Sequence, residues 1–243
     1  MAIYLITGAS SGIGREMSRL AVERGHTVYG LARRKDILDE MASELGERFL
    51  PFACDVSDKA AVHEVCENLP DLPQIAIMSA GLGAFGAKSE FDMESFERLF
   101  SVNFFGALHV IDALYKPFKK RGSGTFVGIS SLSAYRALPG WPSYCASKAA
   151  LTAALEGLAV SLPKENLRYV TVHPSFIATP MTAGQKGMFL VWEADRAAAH
   201  ILDGIEAGKI DIVFPAVTRF LMWILRLAPS WLHRASINLF FKA

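Results

Sequence analysis

Tyr144 and Lys148, in the run Ser143-Tyr144-Cys145-Ala146-Ser147-Lys148, are the residues whose types and spacing most directly suggest chemistry. Four residues apart on a helix, their side chains share one face, a turn from each other. A free phenol, with a pKa near ~10, is a poor acid or base at neutral pH. A nearby ammonium favours the phenolate, so the phenol can exchange a proton closer to neutrality. Tyr-x-x-x-Lys also occurs on ordinary helix faces, and its surroundings decide its meaning. Cys145 adjoins Tyr144, but no histidine lies nearby in sequence to activate it, and it reads as a bystander on the helix.

The elements that must position the pair alternate strand and helix. Ile3-Tyr4-Leu5-Ile6, residues 26–32, 48–53, 75–78, 124–129, 167–172 and 210–214 read as seven strands. Helices are expected after the first, over 35–45, from about 59 to 67, from 95 to 120, and over 195–206. The last of these has Ala198, Ile201, Leu202 and Ile205 on one face. Continuous apolar strands joined by helical crossovers imply an α/β fold: a Rossmann-type, doubly wound parallel sheet of about seven strands with helices on both faces. With no repeat, low-complexity tract or linker, residues 1–243 read as one nucleotide-binding domain.

Between the first strand and its helix lies Thr7-Gly8-Ala9-Ser10-Ser11-Gly12-Ile13-Gly14. Its glycines permit a tight turn and a close backbone approach to a pyrophosphate resting on helix N-terminal amides, and Ser10 and Ser11 add hydroxyls. The second strand ends Ala32-Arg33-Arg34, with no carboxylate until Asp36. An acid there would favour the ribose hydroxyl of NAD; a guanidinium can hold the 2′-phosphate of NADP. NADP (NADPH) is therefore expected over NAD.

Composition is compatible with this and narrows the rest. The chain is 51% apolar and 20% charged, enough for a large core. A net charge of +1 leaves no electrostatic footprint for nucleic acid. Cys54, Cys66 and Cys145 have no metal-like spacing and His173 has no partner cluster, so no metal is expected and a reduced, cytoplasmic setting is the simplest reading. The opening four-residue apolar run is too short for a signal-peptide core, and the fold reads as beginning at residue 2.

At this point the chain resembles the single-domain short-chain dehydrogenases/reductases from residue 2 to about 215. The likeness rests on Thr7-Gly8-x-x-x-Gly12-x-Gly14, Asp55-Val56, Ala80-Gly81, Asn103, Ser131, Tyr144-x-x-x-Lys148 and Pro174 through Thr179, with Ile177 between them. The resemblance implies that Asp55 meets the adenine amino group, Val56 lies against the ring, and Thr179 binds the nicotinamide carboxamide. It implies a catalytic serine at Ser131, thirteen residues before Tyr144, with Ser130 and Ser133 as runners-up. Lys148 would then lower the Tyr144 pKa and hold the nicotinamide ribose. Asn103 would shape its helix so that a backbone carbonyl holds a water in a proton relay to the lysine. Two departures stand out: Met78-Ser79-Ala80-Gly81 replaces the usual Asn-Asn-Ala-Gly, and Pro174-Ser175 replaces Pro-Gly.

The expected activity is that of an NAD(P)-dependent oxidoreductase (EC 1.1.1-type). It would move hydride between the cofactor and a small-to-medium, lipophilic carbonyl or alcohol, with Tyr144 as proton donor or acceptor. A non-catalytic NADP-binding regulator or scaffold of the same fold is the alternative from another class. An epimerase or dehydratase is a weaker third, since such relatives usually carry a longer substrate domain. The family implies a homodimer or homotetramer.

Specificity is expected from Met181 to Glu193, a short lid in which Met188, Phe189, Leu190, Val191 and Trp192 either line an apolar pocket or join the core. Residues 215–243 form an apolar C-terminal extension broken by Arg219, Arg226, Pro229, His233 and Arg234, too interrupted for a membrane span. Three readings stay open for it: a cover for the pocket or an oligomer interface, a basic amphipathic pair of helices resting peripherally on a membrane, or core packing.

Overall fold

In a computed structural model, which describes residues 1–83, 91–162, 166–185, 188, 190–229 and 231, the apolar runs read as strands do form strands. They are β1 (Ile3–Thr7), β2 (Thr27–Ala32), β3 (Phe49–Ala53), β4 (Ile75–Met78), β5 (Gly124–Ile129) and β6 (Leu167–Pro174). Two short strands, β7 (Ile177–Ala178) and β8 (Trp192–Glu193), precede β9 (Asp211–Phe214). The crossover helices are α1 (Gly12–Glu23), α2 (Lys35–Leu45), α3 (Lys59–Glu67), α4 (Met93–Phe100), α5 (Gly106–Arg121), α6 (Pro142–Ser161) and α7 (Ala194–Glu206), and α8 (Ala216–Leu227) follows β9.

All pairings in the seven-stranded sheet are parallel, in the order β3-β2-β1-β4-β5-β6-β9. The strand order reverses between β1 and β4, and the crevice beyond the carboxyl ends of these strands is where such sheets bind ligands. Each face of the sheet has its own core. Met17 and Ala21 of α1, Leu38 and Met41 of α2, and Ala198, Ile201 and Leu202 of α7 cover one. Val62 of α3, Val110, Leu114 and Phe118 of α5, and Leu151 and Leu155 of α6 cover the other. This double burial is why the central strands are almost uninterrupted apolar runs.

The long helix expected over 95–120 is not one regular helix. Between α4 and α5 the backbone widens into a π-helical turn at Ser101–Phe105. The amide of buried Asn103 points inward from this turn and bonds the loop after β4.

The crevice itself is braced by Thr7 at the end of β1. Its hydroxyl accepts from the N–H groups of Ser79 (3.1 Å) and Ala80 (3.0 Å), joining the ends of β1 and β4. Serine at position 79 therefore coexists with an intact cross-brace, made by a neighbouring strand. Next to it Gly8 has φ +70°, and a Cβ there would lie 2.8 Å from Ala80 Cα and 2.9 Å from its nitrogen. Both obstacles are backbone atoms that cannot swing aside.

Gly8→Ala is expected to cost about 2 kcal/mol, from the left-handed conformation plus the backbone contact. Thermal denaturation should show a midpoint lower by roughly 4–8 °C. An unchanged midpoint would mean the loop opens freely away from Ala80.

Candidate active site

The carboxyl end of β5 and the first turns of α6 bring the chemical residues together. Pro142, whose ring suits the first helical position, starts α6 and sets Tyr144 and Lys148 on one inward face. Ser131 leaves β5 in extended geometry and caps the short helical turn Leu132–Ala134, its Oγ accepting from the Ser133 N–H at 3.1 Å. The same side chain hydrogen-bonds the Tyr144 phenol. Lys148 is 5% exposed, and its Nζ donates to the Ile129 carbonyl at 2.8 Å. That nitrogen lies 5.8 Å from the centroid of the Tyr144 ring.

Burial dominates the electrostatics of both groups. It pushes the Tyr144 phenol up to about 12, opposed by the Ser131 hydrogen bond. It also brings the Lys148 ammonium down to about 8. The phenol is therefore raised where the spacing of the pair predicts a lowering. Lys148 spends its close contact on the Ile129 carbonyl, and removing the phenolate from water costs more than Ser131 returns. At neutral pH Tyr144 is held as a protonated acid beside a buried cation.

Asn103 is 1% exposed and fully engaged. Its Oδ1 accepts from Leu82 N–H (2.7 Å), and its Nδ2 donates to Leu82 O (3.0 Å) and Ser147 Oγ (3.0 Å). Ser147 Oγ in turn donates to the Tyr144 carbonyl at 2.8 Å. A chain of bonds thus runs from the π-turn through Ser147 to the backbone of the tyrosine. Ser130, a runner-up for the catalytic serine, faces the helix instead: its Oγ donates to Lys148 O at 3.0 Å and pairs with Thr152 at 2.8 Å. Ser133 is buried as well. Cys145 is buried, and burial raises its thiol pKa, as suits a packed side chain.

One cleft joins this set to the glycine loop. It is lined by Gly8, Ser11, Gly12, Ile13 and Gly14 on one side and Ser131, Tyr144 and Lys148 on the other, with Gly81, Pro174, Ile177 and Thr179 between. A Cβ on Gly14 would run into the Gly8 carbonyl, so the loop folds onto its own backbone and leaves a cradle that side chains would fill. Ser11 precedes α1 without making a side-chain cap, which leaves the helix N-terminal amides to meet an anion. This arrangement fits a dinucleotide pyrophosphate.

The remaining predicted residues lie outside that lining. Arg34 reaches back to the loop, donating to Ser10 Oγ (2.9 Å) and Ser10 O (3.1 Å), so Ser10 serves the arginine. Arg33 stands 3.8 Å from Asp55. Burial raises the Asp55 pKa, but two bonds from Ser57 and the Arg33 charge more than offset it and hold the carboxyl below its usual range. Val56 is buried under α5, against Gly106. Ala80 contributes its N–H to the Thr7 brace.

Sequence reasoning missed several contributors. Ser147 is concealed inside the Tyr-x-x-x-Lys spacing. Thr182 Oγ1 donates to Ile177 O at 2.6 Å and accepts from the Thr179 N–H at 3.1 Å, pinning the loop after β6; the Thr-x-x-Thr spacing was its signal. Trp141 stands edge-on to Tyr144 (6.1 Å, 89°) and to Phe176 (6.0 Å, 84°). Met181, the first residue of the segment expected to set specificity, does line the cleft. Of the supposed lid, Lys186, Gly187 and Phe189 lie outside the described residues. Leu190 and Val191 are exposed, and Trp192 packs into the core against Phe214.

Known proteins share this geometry. A family model for short chain dehydrogenases matches residues 2–188. An uncharacterized oxidoreductase of Mycobacterium tuberculosis is 30% identical over 216 residues, covering 84% of this chain but 63% of the relative, so the chain spans less than two thirds of that protein. A benzil reductase of Saccharomyces cerevisiae, described as forming (S)-benzoin, is 32% identical over 206 residues, 76% of this chain and 78% of the yeast one. Among solved structures, a short chain dehydrogenase of Burkholderia cenocepacia in complex with NADP superposes with a TM-score of 0.85 at 27% identity, covering 97% of each chain. Another from Sphingobium yanoikuyae, in complex with NADPH, gives 0.80 at 27% identity over 89% of each.

The buried ammonium has a consequence for stability. Its folded pKa, about 8, lies below 10.5, so its charged form costs the fold about 3 kcal/mol below pH ~8, and that cost fades as pH rises toward ~10.5. Lys148→Met removes the cost but strands the Ile129 carbonyl, a loss of about 1–3 kcal/mol. The variant should match or slightly exceed the parent in urea unfolding at neutral pH. A loss of several kcal/mol would show that the ammonium is not a burden on the fold.

Proposed function

The chain belongs to the short-chain dehydrogenase family, and from that premise we propose that it is an NADP-dependent oxidoreductase reducing lipophilic, aromatic carbonyl compounds. The observation that carries this reading is the cleft in which the glycine loop faces Ser131, Tyr144 and Lys148. When bound, the nicotinamide supplies or accepts the hydride. Gly8 through Gly14 would hold the pyrophosphate, Lys148 the nicotinamide ribose, and Thr179 the carboxamide.

The chain's own residues do the proton work. Ser131 and Tyr144, already hydrogen-bonded to each other, offer two hydroxyls to one carbonyl oxygen. As negative charge develops there, Tyr144 releases its proton to that oxygen and Ser131 stabilises it. Lys148, retained near the phenol by the Ile129 carbonyl, favours the phenolate left behind. A phenol kept protonated at neutral pH is an acid in waiting, which favours reduction of the carbonyl. Alcohol oxidation needs the phenolate and should speed up as pH rises. Asn103 and Ser147 act through the backbone of Tyr144 as positioning residues.

Two observations support the cofactor and substrate classes. Arg34 bonded to the glycine loop and Arg33 beside Asp55 line the edge where a 2′-phosphate would sit, with no acid at the end of β2. Trp141 stands edge-on to Tyr144 and to Phe176, and Met181 lines the cleft, which supports an apolar, aromatic substrate. The yeast relative's name supplies benzil, an aromatic 1,2-diketone, as the first compound to try.

Tyr144→Phe should lower NADPH-dependent reduction of benzil or another aromatic ketone by about 10²–10⁴-fold while NADPH fluorescence titration still shows binding. Near-full turnover in that variant would sink the mechanism. Arg33→Asp should reduce the NADPH-over-NADH ratio of kcat/KM at least ~tenfold, because an acid repels the 2′-phosphate. An unchanged ratio would remove Arg33 from cofactor choice. Tight NADPH binding with no turnover of ketones, aldehydes or quinones would favour the scaffold alternative.

A further inference from the structure

Helix α8 leaves β9 with its apolar side outward. Thr218 is 1% exposed, turned into the protein, its hydroxyl donating to Pro215 O at 2.7 Å. Val217, Phe220, Ile224 and Leu227, spaced three, four and three residues apart, are 70%, 65%, 45% and 65% exposed, and Trp231 beyond them is 70% exposed. That spacing puts the four on one arc of the helix. Large apolar side chains gathered this way on one surface mark an interaction site.

Charge identifies the partner. Of the 25 basic and 24 acidic residues, residues 215–243 hold Arg219, Arg226, Arg234 and Lys242 and no acid, a charge of +4. Residues 1–214 therefore carry −3, and the chain's whole positive excess lies in this segment. A symmetric contact between two copies through α8 would set cation against cation with no carboxylate in the segment to answer it. An anionic lipid surface supplies both an apolar layer for the stripe and negative headgroups for the cations. At 12 residues α8 is about 18 Å long, short of the ~30 Å hydrocarbon core. Among the described residues no helix is long and apolar enough to cross a membrane.

We propose that α8 docks the protein on the surface of an anionic bilayer, lying in the interfacial plane. The docked helix is not loose from the body. Arg136 Nη2 donates to Ala228 O at 3.1 Å, and the Arg226 guanidinium lies 5.5 Å from the Tyr135 ring centroid. Both partners belong to the loop that follows Ser131, which ties α8 to the chain on that side of the site. Docking stands apart from the activity assigned above: it can fail while the reductase reading holds, and the reverse.

The test is vesicle co-sedimentation of the full chain. Phosphatidylcholine vesicles containing phosphatidylglycerol should bind it at least ~tenfold more tightly than phosphatidylcholine alone, and raising salt toward ~1 M should erase the difference. The double variant Phe220→Glu with Ile224→Glu should lose vesicle binding at least ~tenfold while keeping the parent's thermal midpoint and elution volume. A second variant, Arg234→Gln with Lys242→Gln, keeps the stripe intact and should weaken binding to anionic vesicles alone. Equal binding to neutral and anionic vesicles, or no binding to either, overturns the proposal. So does a double variant that elutes as a smaller species while vesicle binding is absent from the parent, which would assign the stripe to contact between copies.

Discussion

The site depends on one buried contact: the Lys148 ammonium donating to the Ile129 carbonyl at the end of β5. A cation in a protein interior is tolerated only where its hydrogen bonds are met. This bond ties the second turn of α6 to the strand that carries Ser131, so the lysine sets the spacing between the serine and the tyrosine. Ser130 adds a second tie, to Lys148 O and Thr152, and Ser147 a third, to Asn103. Three buried polar contacts thus fix one face of one helix, and the tyrosine on it bonds Ser131.

The two halves of the fold meet at the same crevice for a related reason. Strand order reverses between β1 and β4, and the Thr7 hydroxyl closes that seam by holding the N–H groups of Ser79 and Ala80. The glycine loop then packs against Ala80 so closely that only glycine fits at position 8. One half offers a cradle for an anion, and the other an acid beside a cation. Neither half would do the proposed chemistry without the other.

Strands and helices were legible because the apolar runs and crossover lengths obey strong periodicities; β4, β5 and α2 begin and end where the sequence predicts. The glycine loop, Ser131, Tyr144 and Lys148 were legible as ordered landmarks, and the cleft unites them. The π-turn was not, because the partners of the Asn103 amide, the Leu82 backbone and Ser147 Oγ, lie far along the chain. Ser147 was missed because its bond to Asn103 spans distant parts of the chain, and Thr182 because its only signal was a short Thr-x-x-Thr spacing. The direction of the Tyr144 shift differs from the expectation for a physical reason: proximity to Lys148 was visible in the spacing, whereas the burial that raises the phenol was not. Trp192, read as lid or core, is core because β7 and β8 pair and draw it inward.

The central claim is that Tyr144 is an acid whose proton becomes transferable once the site is complete. The direct measurement is an ultraviolet phenolate titration of the parent minus that of Tyr144→Phe, with and without saturating NADP. Without cofactor the difference signal should appear near the value of about 12 that burial imposes. With NADP it should move down by more than about one unit, as added positive charge and hydrogen bonds favour the phenolate. A Tyr144 signal that stays in place when NADP is bound would contradict the account.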